Sequence, residues 1–139
     1  GIVIGGHSDK GMVPLISKAT RNSIRISNFL SDKILENIKQ ETKIGGATLT
    51  KLLGTSAWYA PGAAVSSIVQ SIACDQHKMF PCSALLENEY GLSNLCIGVP
   101  VILGKNGIEK IIELELNDSE YDHLKQSAES VKKTNNLLD

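Results

Sequence analysis

Ile2-Val3-Ile4-Gly5-Gly6-His7-Ser8-Asp9-Lys10-Gly11-Met12-Val13-Pro14-Leu15 is the stretch from which the rest of the chain can be read. Three β-branched apolar residues predict a strand, and two glycines end it in a tight loop. A second apolar run, Met12 to Ile16, contains Pro14. Proline cannot donate to a ladder, so this run belongs at a sheet edge or a bend. A strand followed by glycines invites a dinucleotide-fold reading, but that fingerprint needs G-x-G-x-x-G between strand and helix. Gly5, Gly6 and Gly11 do not have that spacing, and Pro14 interrupts the helix that should follow. His7 therefore stands at a loop beyond a strand, where glycines let a ligand or another segment come close. Imidazole titrates near neutrality and can give and take a proton. From these residues alone His7 is either a proton-transfer group or a plain loop histidine.

Residues 17–30 are polar and irregular, with one short strand expected at Ile24 to Ile26. A helix is expected from Ser31, which can cap it. Asp32 favours the first turn, and Ile34, Leu35 and Ile38 share one face. That face resumes at Leu49, Leu52 and Leu53, and Gly45-Gly46 between them predict a kink or a close backbone contact. Gly54 to Pro61 reads as a loop. Pro61 can open the next helix, whose stripe is Val65, Ile68, Val69 and Ile72. Residues 79–86 and 95–103 are strand candidates, and Lys105-Asn106-Gly107 is a turn. Ile108 to Leu116 alternates, with Ile112, Leu114 and Leu116 set against Glu113 and Glu115, and predicts a half-buried antiparallel strand. Asn117 and Glu120 form a capping-box pattern. Tyr121, Leu124, Ala128 and Val131 supply the stripe of a last helix, and the tail Asn135 to Asp139 is expected to fray. Strands and helices are segregated, so the fold class is α+β.

Length and composition narrow the function classes. The chain has 139 residues, one domain by the usual prior. With 14 basic and 15 acidic residues, no basic excess recommends a nucleic-acid or membrane-surface partner. No apolar run reaches the ~18 residues of a membrane span, and the start lacks the basic region of a signal peptide. Cys74, Cys82 and Cys96 are odd in number and include no C-x-x-C pair. We read them as reduced, mostly buried thiols of a cytoplasmic protein, with no disulfide framework and no zinc knuckle. His77 and His123 stand alone in polar contexts and read as surface histidines, so no metal site is expected. The chain enters a strand directly and without a Met, which reads as a fragment.

Gly5-Gly6-His7-Ser8-Asp9 with Met12-Val13-Pro14-Leu15 resembles the G-G-H-G-D-x-M-V-P-L signature of malate dehydrogenases in the lactate/malate dehydrogenase family. Further landmarks follow in the family's order. They are Gly45-Gly46-Ala47, Ser56-Ala57-Trp58-Tyr59-Ala60-Pro61 and Pro81-Cys82-Ser83-Ala84, then Glu89-Tyr90-Gly91, Gly98-Val99-Pro100-Val101 and Leu114-Glu115-Leu116-Asn117. Each is weak alone; the ordered succession, covering residues 1 to about 133, is specific. Two departures lie beside His7. Ser8 replaces the usual glycine, and Lys10-Gly11 occupy a single position of the pattern, an insertion that Gly11 can absorb.

The resemblance implies a lactate/malate dehydrogenase C-terminal domain over residues 1–139, an antiparallel sheet with long helices packed on it. The N-terminal NAD-binding domain lies outside this chain. It implies that His7 is the catalytic proton donor and acceptor between oxaloacetate and malate, with NAD as cofactor. It also implies substrate contacts from Ser56 and Ala57 and cofactor contacts from His7 and Pro61. Lactate dehydrogenases tend to carry a threonine and then a tryptophan in the Ser56–Pro61 segment, and the smaller Ser56-Ala57 leave room for a dicarboxylate. Trp58 and Tyr59 either line that pocket or pack the core. Similar enzymes hold the histidine with an aspartate from a D-x-x-R element and clamp substrate with arginines. This chain has no D-x-x-R, and its two arginines, Arg21 and Arg25, match no such motif. The implied partners are the N-terminal Rossmann domain of the same protein and further copies of it, as a homodimer or homotetramer. The alternatives are a lactate dehydrogenase half and a non-catalytic oligomerisation module of the same fold.

Overall fold

The computed structural model describes residues 1–137. The apolar opening forms β1 (Val3–Gly5), and the proline-bearing run forms β2 (Met12–Pro14). A small ribbon of β3 (Thr20–Arg21) and β4 (Ile24–Arg25) leads to α1 (Asp32–Leu53) and α2 (Tyr59–Ala73). A meander of β5 (Lys78–Glu87), β6 (Ser93–Gly104) and β7 (Gly107–Ile111) follows, and α3 (Asp118–Asn135) closes the chain. Residues 138 and 139 of the expected frayed tail lie outside the described residues; the helix itself continues through Asn135.

The five-stranded antiparallel sheet has the order β2-β1-β6-β5, with β7 also paired to β6. β5 occupies one edge of β6 along most of its length, Lys78 opposite Leu103 and Glu87 opposite Ser93. The other edge is shared end to end. β1 meets it at Gly98, and β7 takes Val101 to Gly104. β2 is one of the sheet's edge strands, where the missing N–H of Pro14 is tolerated.

The sheet is two-faced, as strict alternation demands. Ala84, Leu86, Leu95, Ile97, Val99, Val101 and Leu103 point into one core with Ile4, Val13 and Leu15. Leu124 and Ala128 of α3 seal that core, with Val131, Ile68 and Ile72 packed against it. The opposite face is open at Leu85 and Cys96, whereas Pro100 on the same face is buried. The capping box opens α3 as expected: the Glu120 N–H donates to Asn117 Oδ1 at 2.9 Å, and the Asn117 N–H donates to Glu120 Oε2 at 3.2 Å. Glu120 also accepts from the Ser17 hydroxyl at 2.8 Å and the Ser17 N–H at 3.2 Å. It therefore fastens the segment after β2 to the start of α3.

Several sequence expectations are corrected. α1 runs unbroken through Gly45-Gly46, and a side chain at either glycine would meet nothing within 4 Å. Cooperative hydrogen bonding along 22 residues outweighs the local cost of two glycines. Of the apolar face of α1 only Leu35 is buried; Ile34, Leu49, Leu52 and Leu53 are open because no described segment covers them. Val65 and Val69 are likewise open, whereas Ile68 and Ile72 reach the core. α2 begins at Tyr59, two residues before Pro61, which still lies in the first turn where its missing N–H costs nothing.

The strand expected over Ile108 to Leu116 leaves the ladder at Ile111. Opposite Ile112 stands Pro100, which accepts its N–H at 2.8 Å but has none to return. Tyr90 takes over, its hydroxyl donating to Ile112 O at 2.9 Å and accepting from the Leu114 N–H at 2.9 Å. The inward and outward alternation of 112–116 survives without the ladder. The cysteines are not mostly buried: Cys74 and Cys96 are exposed and Cys82 is half-buried. Cys96 stands on the outward register of β6, and Cys74 ends α2. No helix among the described residues is long and apolar enough to cross a membrane.

Candidate active site

β1 must come unusually near β6 where Gly5 pairs with Gly98. A Cβ on Gly98 would stand 2.7 Å from the carbonyl oxygen of Gly5. Gly5 itself has φ +96°, and a Cβ there would collide with the carbonyl oxygen of Gly11. These two glycines deliver the chain into the His7 loop at a position that side chains would forbid.

The loop is then pinned from both sides. The Gly6 N–H donates to Gly11 O at 3.1 Å and to Ser127 Oγ at 2.8 Å, and the Ser127 hydroxyl donates to Gly11 O at 2.8 Å. Ser127 is buried on α3, so the last helix holds a loop 121 residues earlier in sequence. Inside the loop, Ser8 O accepts from the N–H groups of Gly11 and Met12, each at 2.9 Å. Ser8 Oγ accepts from the Gly11 N–H at 3.0 Å. The two departures from the family pattern thus answer each other: Ser8 supplies the turn that closes the insertion. Gly11 leaves room for it, since a Cβ there would stand 2.8 Å from Ser8 Oγ.

His7 rides on this loop with an exposed side chain. It lines two clefts. One is shared with Met12, Cys82, Cys96 and Gly98, the other with Ser8, Ser127, Ser130 and Thr134. His7 takes part in none of the ion pairs among the described residues. Its ring is open to an approaching molecule. Burial pushes the Cys82 thiol in the first cleft above its ordinary value.

Ser56 and Pro61 are exposed and Ala57 is half-buried, on the connection between α1 and α2. None of the three lines either His7 cleft. Trp58 and Tyr59 do not pack the core, being 69% and 87% exposed. Sequence reasoning overlooked Ser127. Its only signal was a hydroxyl beside Ala128 in an otherwise apolar stripe.

A two-faced antiparallel sheet, covered on one face by α3 and α2, thus carries a pinned glycine-histidine loop at the end of its short strand β1. The chain belongs to the lactate/malate dehydrogenase family: the model of its alpha/beta C-terminal domain matches residues 2–138. It is 58% identical over 138 residues to the malate dehydrogenase of Bacteroides thetaiotaomicron. It is 51% identical over 137 residues to that of Flavobacterium frigidimaris. Both alignments cover 99% of this chain, and the chain spans only 44% of the length of either relative. Among solved structures it is similar to malate dehydrogenase from Salinibacter ruber, with a TM-score of 0.94 and 42% identity over 99% of this chain and 45% of that one. The lactate dehydrogenase from Cryptosporidium parvum complexed with lactic acid and nicotinamide adenine dinucleotide also has a TM-score of 0.94, at 34% identity, covering 99% of this chain and 45% of that one.

Proposed function

We propose that this chain is the substrate-binding half of an NAD-dependent malate dehydrogenase, interconverting malate and oxaloacetate, with His7 as proton donor and acceptor. The observation that carries the proposal is the His7 loop. An exposed imidazole, in no ion pair among the described residues, stands at a fixed position set by Gly5, Gly11 and Ser127. Toward the dinucleotide this chain offers the open ring of His7; Pro61, exposed in the first turn of α2, lines neither His7 cleft. When bound, the dinucleotide would supply the hydride. His7 would give the proton that the ketone oxygen needs as negative charge develops there, and would take it back from the hydroxyl in the reverse direction. Ser56 and Ala57, small residues, would leave room for a second carboxylate on the substrate.

The isolated chain lacks a D-x-x-R aspartate to orient His7 and arginines placed to clamp a dicarboxylate. Lysine is a poor replacement where a planar fork is needed. The reading therefore includes an N-terminal Rossmann domain in the same protein, a homodimer or homotetramer, and a cytoplasmic place in the tricarboxylic acid cycle.

In the full-length protein, His7→Asn should lower kcat for oxaloacetate reduction by about 10²–10⁴-fold, the usual span for a positioned acid/base. NADH binding should stay intact. Unchanged turnover would remove His7 from the chemistry. A lactate dehydrogenase half is the second reading, favoured by the TM-score of 0.94 that the Cryptosporidium parvum lactate dehydrogenase shares with the Salinibacter ruber enzyme. Comparing kcat/KM for oxaloacetate and pyruvate decides between them.

A further inference from the structure

At the far end of β6 from the His7 loop lies a second group of chemically able side chains. Gly104 is six residues beyond Gly98, which is roughly 20 Å along a strand. Over Gly104 stand Asp75 and His77, from the loop after α2, and Glu109 of β7. One ligand atom from each of the three lies within 4.8 Å of the others.

Both ring nitrogens of His77 face carboxylate oxygens. Nε2 is 3.1 Å from Asp75 Oδ1, and Nδ1 is 2.9 Å from Glu109 Oε2. A protonated ring donates to both carboxylates; a neutral imidazole carries one N–H and satisfies one of them, and its other nitrogen then offers a lone pair to a lone pair unless a cation stands between them. Something positive belongs on that side. The cluster is held in place independently of any ion. The buried Ser71 hydroxyl donates to Leu103 O at 2.8 Å, the Lys105 N–H donates to Asp75 Oδ1 at 2.9 Å, and the Asn106 amide donates to Glu109 Oε1 at 3.3 Å. Gly104 has no Cβ to fill the space; one there would lie 3.0 Å from Asp75 Oδ1 and would collide with Glu109.

We propose that Asp75, His77 and Glu109 form a binding site for a divalent transition-metal ion, zinc by preference. His77 Nε2 and Asp75 Oδ1 bind the ion directly. Two ligands on a tetrahedral zinc at bond lengths of ~2.0–2.2 Å stand roughly 3.3–3.6 Å apart, so this pair, at 3.1 Å, opens by a few tenths of an ångström to admit the ion. Glu109 accepts the Nδ1–H and fixes the tautomer, the usual arrangement of a carboxylate behind a metal-binding histidine. Water completes the coordination, since all three residues are exposed. The imidazole nitrogen selects zinc, nickel or copper over calcium or magnesium, which prefer oxygen. The ion would tie the loop after α2 to the β6–β7 turn.

The test is calorimetric titration of the chelator-stripped full-length protein with zinc sulfate, up to about 1 mM. The proposal expects one equivalent bound, weakened at least ~10-fold by His77→Asn and ~10-fold or more by Glu109→Gln. Asparagine keeps the left-handed backbone of position 77 (φ 50°), so the variant should fold. Asp75→Asn provides a second check at another left-handed position. Cys74→Ser should leave binding unchanged, which separates the cluster from its exposed cysteine neighbour. Zinc bound equally by wild type and His77→Asn, or no binding in the tested range, overturns the proposal. Turnover should not respond to His77→Asn, so this result stands apart from the fate of His7.

Discussion

At the scale of single residues, position is enforced by groups that do no chemistry. Ser127→Ala would strip a buried hydroxyl from between Gly6 N and Gly11 O, although those two remain bonded to each other at 3.1 Å. The expected loss is about 1 kcal/mol of stability by denaturant melt, with a fall in kcat from the loosened loop. Wild-type kcat in that variant would show that Ser127 only supports the fold. Thiol reactivity gives a second check. Burial holds Cys82 above its ordinary value, while Cys74 and Cys96 are exposed. Two thiols should therefore react quickly with a disulfide reagent near neutral pH and the third slowly, because the thiolate is the nucleophile. His7 was legible as a site candidate because glycines, strand end and imidazole adjoin in sequence. Ser127 and Glu109 were not, since they stand 121 residues from Gly6 and 32 from His77 and meet them only in space.

At the scale of elements, two side chains carry connections the backbone cannot make. Tyr90 holds the segment that leaves β7, and its own N–H donates to Glu113 Oε2 at 2.6 Å. Tyr90→Phe leaves the Leu114 N–H and Ile112 O without this partner and should cost about 1–3 kcal/mol. Burial is the main cause that pushes the Tyr90 phenol above its ordinary value of 10.0; the bond from the Leu114 N–H acts against it, and the Glu113 charge adds to it. A group raised on folding holds its proton better folded than unfolded. Its contribution is full below the unfolded value and disappears as pH rises through the folded one. The stability gap between wild type and Tyr90→Phe should therefore shrink above pH ~10; a constant gap would contradict this. Glu120 is the other connector, serving the α3 capping box and Ser17 at once, and Glu120→Ala should cost about 2 kcal/mol. The capping box was readable from local spacing. The Ser17 bonds were not, because they span 103 residues.

At the scale of the whole molecule, the described chain has one sealed sheet face and long helices with open apolar sides. Isolated, it should show no NADH oxidation with oxaloacetate, and clear turnover would refute the half-enzyme reading. Light scattering on the full-length protein should give the mass of two or four chains; a monomer would remove the proposed assembly.

The sequence by itself determined the strand and helix order, the α+β class, the capping box, the Pro14 edge strand and the family, because each is written in local periodicity or an ordered set of short motifs. It could not decide which apolar faces are covered. Ile34, Leu49, Val65 and Val69 have the spacing of core residues yet stand open. Periodicity reports that a face is apolar, not what lies against it. Only the tertiary structure decided that Ser127 clamps the His7 loop, that Pro100 releases β7 and that Glu109 closes on His77. Each is a contact between distant parts of the chain, selected by how the sheet and helices pack.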